Sequence, residues 1–298
     1  MPASPRLAYL LLTLTSLFWA GNFVLARAMH AAIPPMTLSF MRWAVALVLL
    51  APFALGTAWR QRTLLRQYWK RLCLLGAIGI CGFNSLAYAG LQYTAATNAV
   101  LMNSFIPILI LLLGRLFWRQ PLSANQLVGI AISFIGVTII LCRGDWARLQ
   151  ALSFNQGDLL LFAAALDWAL YTLILRGLDS RVDRLGMLMA LILVGLACCA
   201  PLFVAELLAG KRTALTPGNL ATFAYVGIFP SVLAYLFYNR GVAEVGAARA
   251  GSFIHLMPVF GTLLSIVFLN ESFEGFHAAG IAAIFAGLWW SGRQRAQN

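Results

Sequence analysis

The chain has 298 residues, of which 61% are hydrophobic and only 10% charged, a composition that excludes an ordinary soluble domain. Its net charge of +12 does not indicate nucleic-acid binding, because the basic residues cluster at the ends of long apolar stretches, as they do beside membranes.

Ten apolar stretches of about 20 residues predict ten transmembrane helices in an all-α integral membrane fold. The first stretch follows Arg6 and could be mistaken for a signal peptide. It is too long, and it carries Trp19 and Asn22 where a cleavable signal has small residues, so we expect a retained helix. The predicted spans are 7–27, 35–56, 71–91, 97–116, 124–142, 157–176, 184–207, 218–240, 249–269 and 275–292.

The distribution of lysine and arginine predicts the orientation of these spans. Most basic residues fall on one side of the membrane, and the strongest cluster runs from Arg60 to Arg71. By the positive-inside rule this side is cytoplasmic, and both termini then lie inside.

The second half of the sequence repeats the first. An offset of 151 residues places Gly129 on Gly280, Gly136 on Gly287 and Pro107 on Pro258, and an offset of 149 places Trp19 on Trp168. The predicted repeats are residues 1–146 and 153–298, with five spans each. Because five is odd, the halves must enter the bilayer from opposite sides. Two inverted five-helix repeats of this kind are typical of secondary transporters, whose substrate site lies at the repeat interface near the midplane.

Polar and aromatic residues inside the spans predict that site, because polar groups in hydrocarbon usually face a cavity. Trp19 and Asn22 share one face of the first helix, and Trp168 and Tyr171 are their counterparts in the sixth. Two facing indoles would suit an apolar or aromatic side chain; the alternative is that both anchor the helices at the interface.

The third and eighth helices carry a swapped pair of amide and phenol groups. Asn84 and Tyr88 correspond to Tyr235 and Asn239, and Tyr238 adds a further phenol. These groups can bind a zwitterion without fixed charge, or they can join helix to helix as polar contacts.

Four further residues have open roles. Asn103 and His255, in the fourth and ninth helices, are predicted to contact substrate. His255 and Asp167 are candidates for proton coupling, with a structural role as the alternative for each. Arg42 lies within the second span and could hold a substrate carboxylate.

Matched helix breakers predict hinges. Pro107 and Pro258 occupy equivalent places, as do Gly79 and Pro230, and each weakens a backbone hydrogen bond. The alternative is that proline is simply frequent in membrane helices.

No catalytic or metal-binding pattern accompanies these features. The five cysteines have no metal spacing, and the sequence carries no HExxH, no Gly-x-Ser-x-Gly and no nucleotide-binding loop. We therefore expect neither an enzyme nor a bound cofactor. A carrier is favoured, and a channel stays open as an alternative.

Several stretches resemble the drug/metabolite transporter superfamily, in its EamA-type ten-helix branch. They are Gly157-Asp158, the run from Ala165 to Tyr171, Arg42-Trp43, and Glu271 followed by Gly280 and Gly287, with Gln120, Gly129 and Gly136 as first-half counterparts. The resemblance implies a bacterial inner-membrane exporter of small metabolites or drugs, most similar to exporters of aromatic and neutral amino acids. It also implies a structural or gating role for Arg42. Gln120 and Asp167 depart from the family pattern.

Overall fold

The computed structural model describes residues 5–94, 96–145, 147, 150, 155–269 and 272–292. All regular secondary structure in these ranges is helical, which confirms the predicted all-α class. Glu271, which belongs to the resemblance, lies outside the described residues.

Ten hydrophobic helices follow one another along the described chain, and eight of them are long and apolar enough to cross a membrane. The last two, α9 and α10, are not among these eight; they are hydrophobic helices that complete the set. A short helix, Arg62–Gln67, connects α2 to α3. The helices are α1 (Pro5–Ala28), α2 (Pro35–Arg60), α3 (Trp69–Tyr93), α4 (Ala96–Asn103 and Ile106–Trp118), α5 (Ala124–Leu141), α6 (Gln156–Arg176), α7 (Arg184–Leu208), α8 (Pro217–Val245), α9 (Ala247–Ser252, a 3-10 turn Phe253–Leu256, and Met257–Leu269) and α10 (Gly275–Gly292).

The contact between α5 and α10 shows that the repeats are inverted. Gly129 approaches Gly287, and Gly136 approaches Gly280; a Cβ added at either first-half glycine would lie within 2.7 Å of its partner's carbonyl oxygen. Gly129 is equivalent to Gly280, and Gly136 is equivalent to Gly287. Exchanging the two halves therefore converts the Gly129–Gly287 contact into the Gly136–Gly280 contact. Only a pseudo-two-fold axis between two antiparallel helices produces that exchange.

Equivalent residues also meet each other directly in the bundle centre, as residues on such an axis must. The indole rings of Trp19 and Trp168 lie 4.9 Å apart in an edge-to-face arrangement. Asn84 Nδ2 donates to the Tyr235 hydroxyl over 3.4 Å, and His255 Nε2 lies 3.0 Å from the Ser104 carbonyl oxygen. The axis therefore passes through the residues that the sequence marks as polar and aromatic.

Four helices are interrupted at the matched positions. Gly79 lies in a π-helical segment of α3, Gly76–Gly82, and Pro230 lies in a π-helical segment of α8, Ile228–Leu233. Pro107 and Pro258 each follow a break, in α4 and α9. Bending at these points stays a prediction, but the interruptions release backbone carbonyls into the centre of the bundle.

We expect Gly287→Ala to lower the free energy of unfolding by about 1–3 kcal/mol. Its Cβ would lie 2.4 Å from the Gly129 carbonyl oxygen and 2.5 Å from the Ser133 amide nitrogen, both backbone atoms that cannot move aside. The measurement is thermal unfolding of the purified protein in detergent. Gly56→Ala in α2 is the matched control, because no atom lies within 4 Å of its Cβ. Equal melting temperatures for the two variants would contradict the close α5–α10 contact.

Candidate substrate site

A fully buried arginine occupies the centre of the bundle. Arg42 belongs to the inward face of α2, where buried residues recur every three or four positions, and only 1% of its surface is exposed. Its neighbour Trp43 is also buried and lies under the guanidinium group, 5.0 Å from its central carbon. The spacing of α2 therefore places one positive charge beside the repeat axis.

The guanidinium group donates only to neutral acceptors. Nε donates to Ser231 Oγ over 2.5 Å, and Nη1 donates to Asn84 Oδ1 over 2.7 Å, to the Tyr88 hydroxyl over 2.8 Å and to Asn22 Oδ1 over 3.4 Å. Nη2 donates to one acceptor, the Pro230 carbonyl, over 2.9 Å, and it can serve a second. No carboxylate of the described residues lies within ion-pair distance. A buried cation without an anion is costly and is usually completed by a ligand or a partner.

The π-helical segment of α8 supplies two of these acceptors. Pro230 has no N–H, so the Val226 carbonyl loses its helical donor, and Ser231 Oγ donates to it instead over 2.6 Å. The same hydroxyl then accepts from Arg42. The released Pro230 carbonyl accepts from both Arg42 and Trp19 Nε1, the latter over 3.1 Å.

Five aromatic side chains pack together next to the arginine. Trp168 contacts Trp19 edge-to-face, and it stacks on Tyr171 with ring centres 4.9 Å apart. Tyr235 and Tyr238 lie behind the two indoles at ring-centre distances between 5.1 and 6.3 Å. All five side chains are buried, and they form a rigid apolar wall.

A small central cavity is lined by Arg42 and by the two indoles of this wall. Its volume is about 20 Å³, enough for one water molecule. Asn103 lines it, and the buried Asn103 Nδ2 has no hydrogen-bond partner among the described residues. The lining residues are Trp19, Asn22, Phe23, Arg42, Phe83, Asn103, Ile106, Trp168, Ile254 and Met257.

The structure distributes the sequence-predicted site residues over three places. Trp19, Asn22, Asn103 and Trp168 line the cavity. Asn84 and Tyr88 hold Arg42 from behind, while Tyr171, Tyr235 and Tyr238 support the wall. The Tyr171 hydroxyl donates to Asn239 Oδ1, and the Tyr235 hydroxyl donates to the Gly79 carbonyl. The Tyr238 and Thr172 hydroxyls form a hydrogen bond with each other.

The two proton-coupling candidates lie outside the cavity lining. His255 is completely buried, and its Nδ1 and Nε2 bond Ser133 Oγ at 2.5 Å and the Ser104 carbonyl at 3.0 Å, so it joins α9 to α5 and α4. Asp167 is half-buried, and its carboxylate lies beside Gly82 of α3. Proton coupling through either residue stays a prediction.

Sequence reasoning underrated Arg42 and did not single out several apolar lining residues. For Arg42 the signal was present, because it is the one lysine or arginine that the sequence places well inside a span, away from the span's ends. Phe23, Phe83 and Met257 carry no such signal, since an apolar side chain in an apolar helix is indistinguishable from core. Within the described ranges, no group of three or more potential metal ligands occurs.

A larger vestibule of about 420 Å³ adjoins the central cavity. It lies where α1 and α5 end and α10 begins, and charged residues of its rim include Arg143 and Glu274. Phe23 and Met257 line both spaces, so these two side chains form the barrier between them.

Comparisons with known proteins agree with this architecture. The family model of the EamA-like transporter family matches residues 6–142 and 155–293, one match for each half. An uncharacterized transporter, YyaM, of Bacillus subtilis is 28% identical over 283 residues, 94% of this chain and 92% of that protein. A probable terminal-alkyne amino-acid exporter of Streptantibioticus cattleyicolor is 26% identical over 260 residues, 87% of this chain and 84% of that protein.

One solved crystal structure shares the fold, with a TM-score of 0.77 and 21% sequence identity over 97% of both chains. The chain is thus a multi-pass membrane protein built from two inverted repeats. It belongs to the EamA-like transporter family, within the drug/metabolite transporter superfamily, and is a membrane transporter.

The barrier between vestibule and cavity yields a prediction that is independent of the substrate. A thiol placed by Asn103→Cys should react slowly with a hydrophilic thiol reagent, and adding Phe23→Ala should accelerate the reaction several-fold by opening the barrier. The measurement is the modification rate in purified protein whose native cysteines are replaced. Phe285→Ala, on the exposed face of α10, is the control. Equal rates with Phe23 and with Ala at this position would refute the barrier.

Proposed function

We propose that this transporter exports aromatic and other neutral amino acids across the bacterial inner membrane by alternating access. The observation that carries the proposal is the buried Arg42 guanidinium, which has five neutral contacts and no carboxylate among the described residues. An amino acid supplies that carboxylate. A charge-assisted hydrogen bond of this kind contributes about 1.5–3 kcal/mol.

The rest of the site suits the other parts of an amino acid. Asn103 lines the cavity with Arg42, so its Nδ2, which has no partner among the described residues, can donate to the carboxylate, and its side-chain oxygen can accept from an ammonium group. Trp19, Phe83 and Trp168 offer ring faces and edges to an apolar or aromatic side chain. A relative that is a probable terminal-alkyne amino-acid exporter supports the same substrate class.

The size of the cavity supports alternating access. A space of about 20 Å³ accommodates a water molecule but no amino acid. Substrate binding therefore requires the helices to separate, and residues at the interruptions of α3, α4 and α9 line the space that must expand. With both termini in the cytoplasm, as we propose from the basic residues, the vestibule faces the periplasm.

Replacing Arg42 with glutamine tests the proposal. We expect Arg42→Gln to weaken phenylalanine binding by about tenfold or more, because the carboxylate loses a charged donor. The variant should keep or raise its melting temperature, since an unpaired buried charge has been removed. The measurements are substrate binding and counterflow in proteoliposomes, which also distinguishes a carrier from a channel.

The matched control is Arg240→Gln, which removes an arginine of α8 that is paired with Glu244 over 2.6 Å away from the cavity. It should leave binding and counterflow unchanged. Wild-type affinity in Arg42→Gln together with a lowered melting temperature would assign Arg42 a structural role and remove the basis of the proposal.

A further inference from the structure

The connection between α2 and α3 concentrates positive charge at one end of the bundle. We call residues 59–71 the basic segment; it contains Arg60, Arg62, Arg66, Lys70 and Arg71 and no acidic residue. All five cations are exposed, and the described residues offer none of them an ion pair.

Two tryptophans bracket this charge. Trp59 is the last residue but one of α2 and Trp69 begins α3, with 70% and 57% of their surfaces exposed. The Arg62 guanidinium lies 4.9 Å from the Trp59 ring centre, and the Lys70 ammonium lies 5.8 Å from that of Trp69. Exposed indoles of this kind mark the headgroup level of a bilayer, so the cations lie where phosphates are.

The acidic groups next to the basic segment are already engaged. Asp179, in the connection between α6 and α7, pairs with Arg181 over 2.6 Å and accepts from the Tyr68 hydroxyl. The Arg181 guanidinium holds the pKa of Asp179 below its usual range. Asp183 Oδ1 accepts from the backbone of Leu185 at the start of α7. The charge of the segment is therefore not neutralised from the elements packed against it.

An apolar groove leads from the basic segment along the bundle surface. Its walls are Leu55, Gly56 and Ala58 of α2 and Met189 of α7, and Trp59 and Arg62 close its end. No atom of the described residues beyond its own helical turn lies within 4 Å of a Cβ built on Gly56, so the groove is open at this position. The groove is apolar along its walls and has a cation at one end, which complements an acyl chain attached to a phosphate.

We propose that this groove and the basic segment form a binding site for an anionic diacyl phospholipid. An acyl chain lies along Leu55, Gly56 and Met189, and Arg62 donates to the phosphate, a geometry that the planar guanidinium favours. The neighbouring cations add attraction for a headgroup with net negative charge. A zwitterionic phospholipid can also place an acyl chain in the groove, but its headgroup has no net negative charge for these cations to attract.

The test is titration of the purified full-length protein in detergent with phosphatidylglycerol or phosphatidylcholine, followed by native mass spectrometry. We expect phosphatidylglycerol to bind more tightly, and the Arg62→Gln, Arg66→Gln variant to lose about tenfold in affinity for it. The matched control is Lys211→Gln, Arg212→Gln at the opposite end of the bundle, which changes the net charge equally and should leave affinity unchanged.

A second pair of variants tests the groove. Gly56→Leu fills the open position in the groove and should weaken phosphatidylglycerol binding, whereas Gly56→Ala should not. Equal affinity for the two lipids, or equal losses in the two charge variants, would overturn the proposal. A third result would also overturn it: glycerol phosphate displaces phosphatidylglycerol equally well from the wild type and from Gly56→Leu. The site would then bind a free anion and no acyl chain.

Discussion

The arrangement of the bundle centre depends on one buried positive charge. Arg42 is surrounded by hydroxyl, amide, phenol and backbone oxygens. These oxygens accept its hydrogen bonds in place of water but do not neutralise its charge. Neutral acceptors stabilise such a charge only in part. The protein therefore holds an unneutralised cation in its interior, and the helix interruption at Pro230 supplies two of its acceptors.

This charge breaks the symmetry of the two repeats. The wall residues Trp19 and Trp168 are equivalent, and so are Asn84 and Tyr235, which both lie around the axis. The equivalents of Arg42 in α7 under offsets of 149 and 151 residues are Leu191 and Leu193. A symmetric scaffold thus carries an asymmetric site, with a polar, positively charged side and an aromatic side. Such a site fits a ligand whose two ends differ, as those of an amino acid do.

Much of the fold followed from the sequence, because glycine spacing and apolar length are direct consequences of helix packing in a membrane. The equivalence of Gly129 and Gly280 predicted the inverted repeat, and these residues form the α5–α10 contact. The site was harder to predict. Asp167 precedes Trp168, yet one step of about 100° along a helix turns it away from the cavity. The importance of Arg42 lies in the absence of a carboxylate among its described neighbours, which only the three-dimensional arrangement reveals.

The most direct measurement compares ligands that differ only in their charged groups. Phenylalanine, phenylpropionate, which lacks the amine, and phenethylamine, which lacks the carboxylate, should be titrated against the wild-type transporter by isothermal calorimetry. If Arg42 is completed by the substrate carboxylate, phenylalanine and phenylpropionate bind and phenethylamine binds at least about tenfold more weakly. Phenethylamine binding as tightly as phenylalanine would contradict the account, because the buried charge would then have no role in recognition.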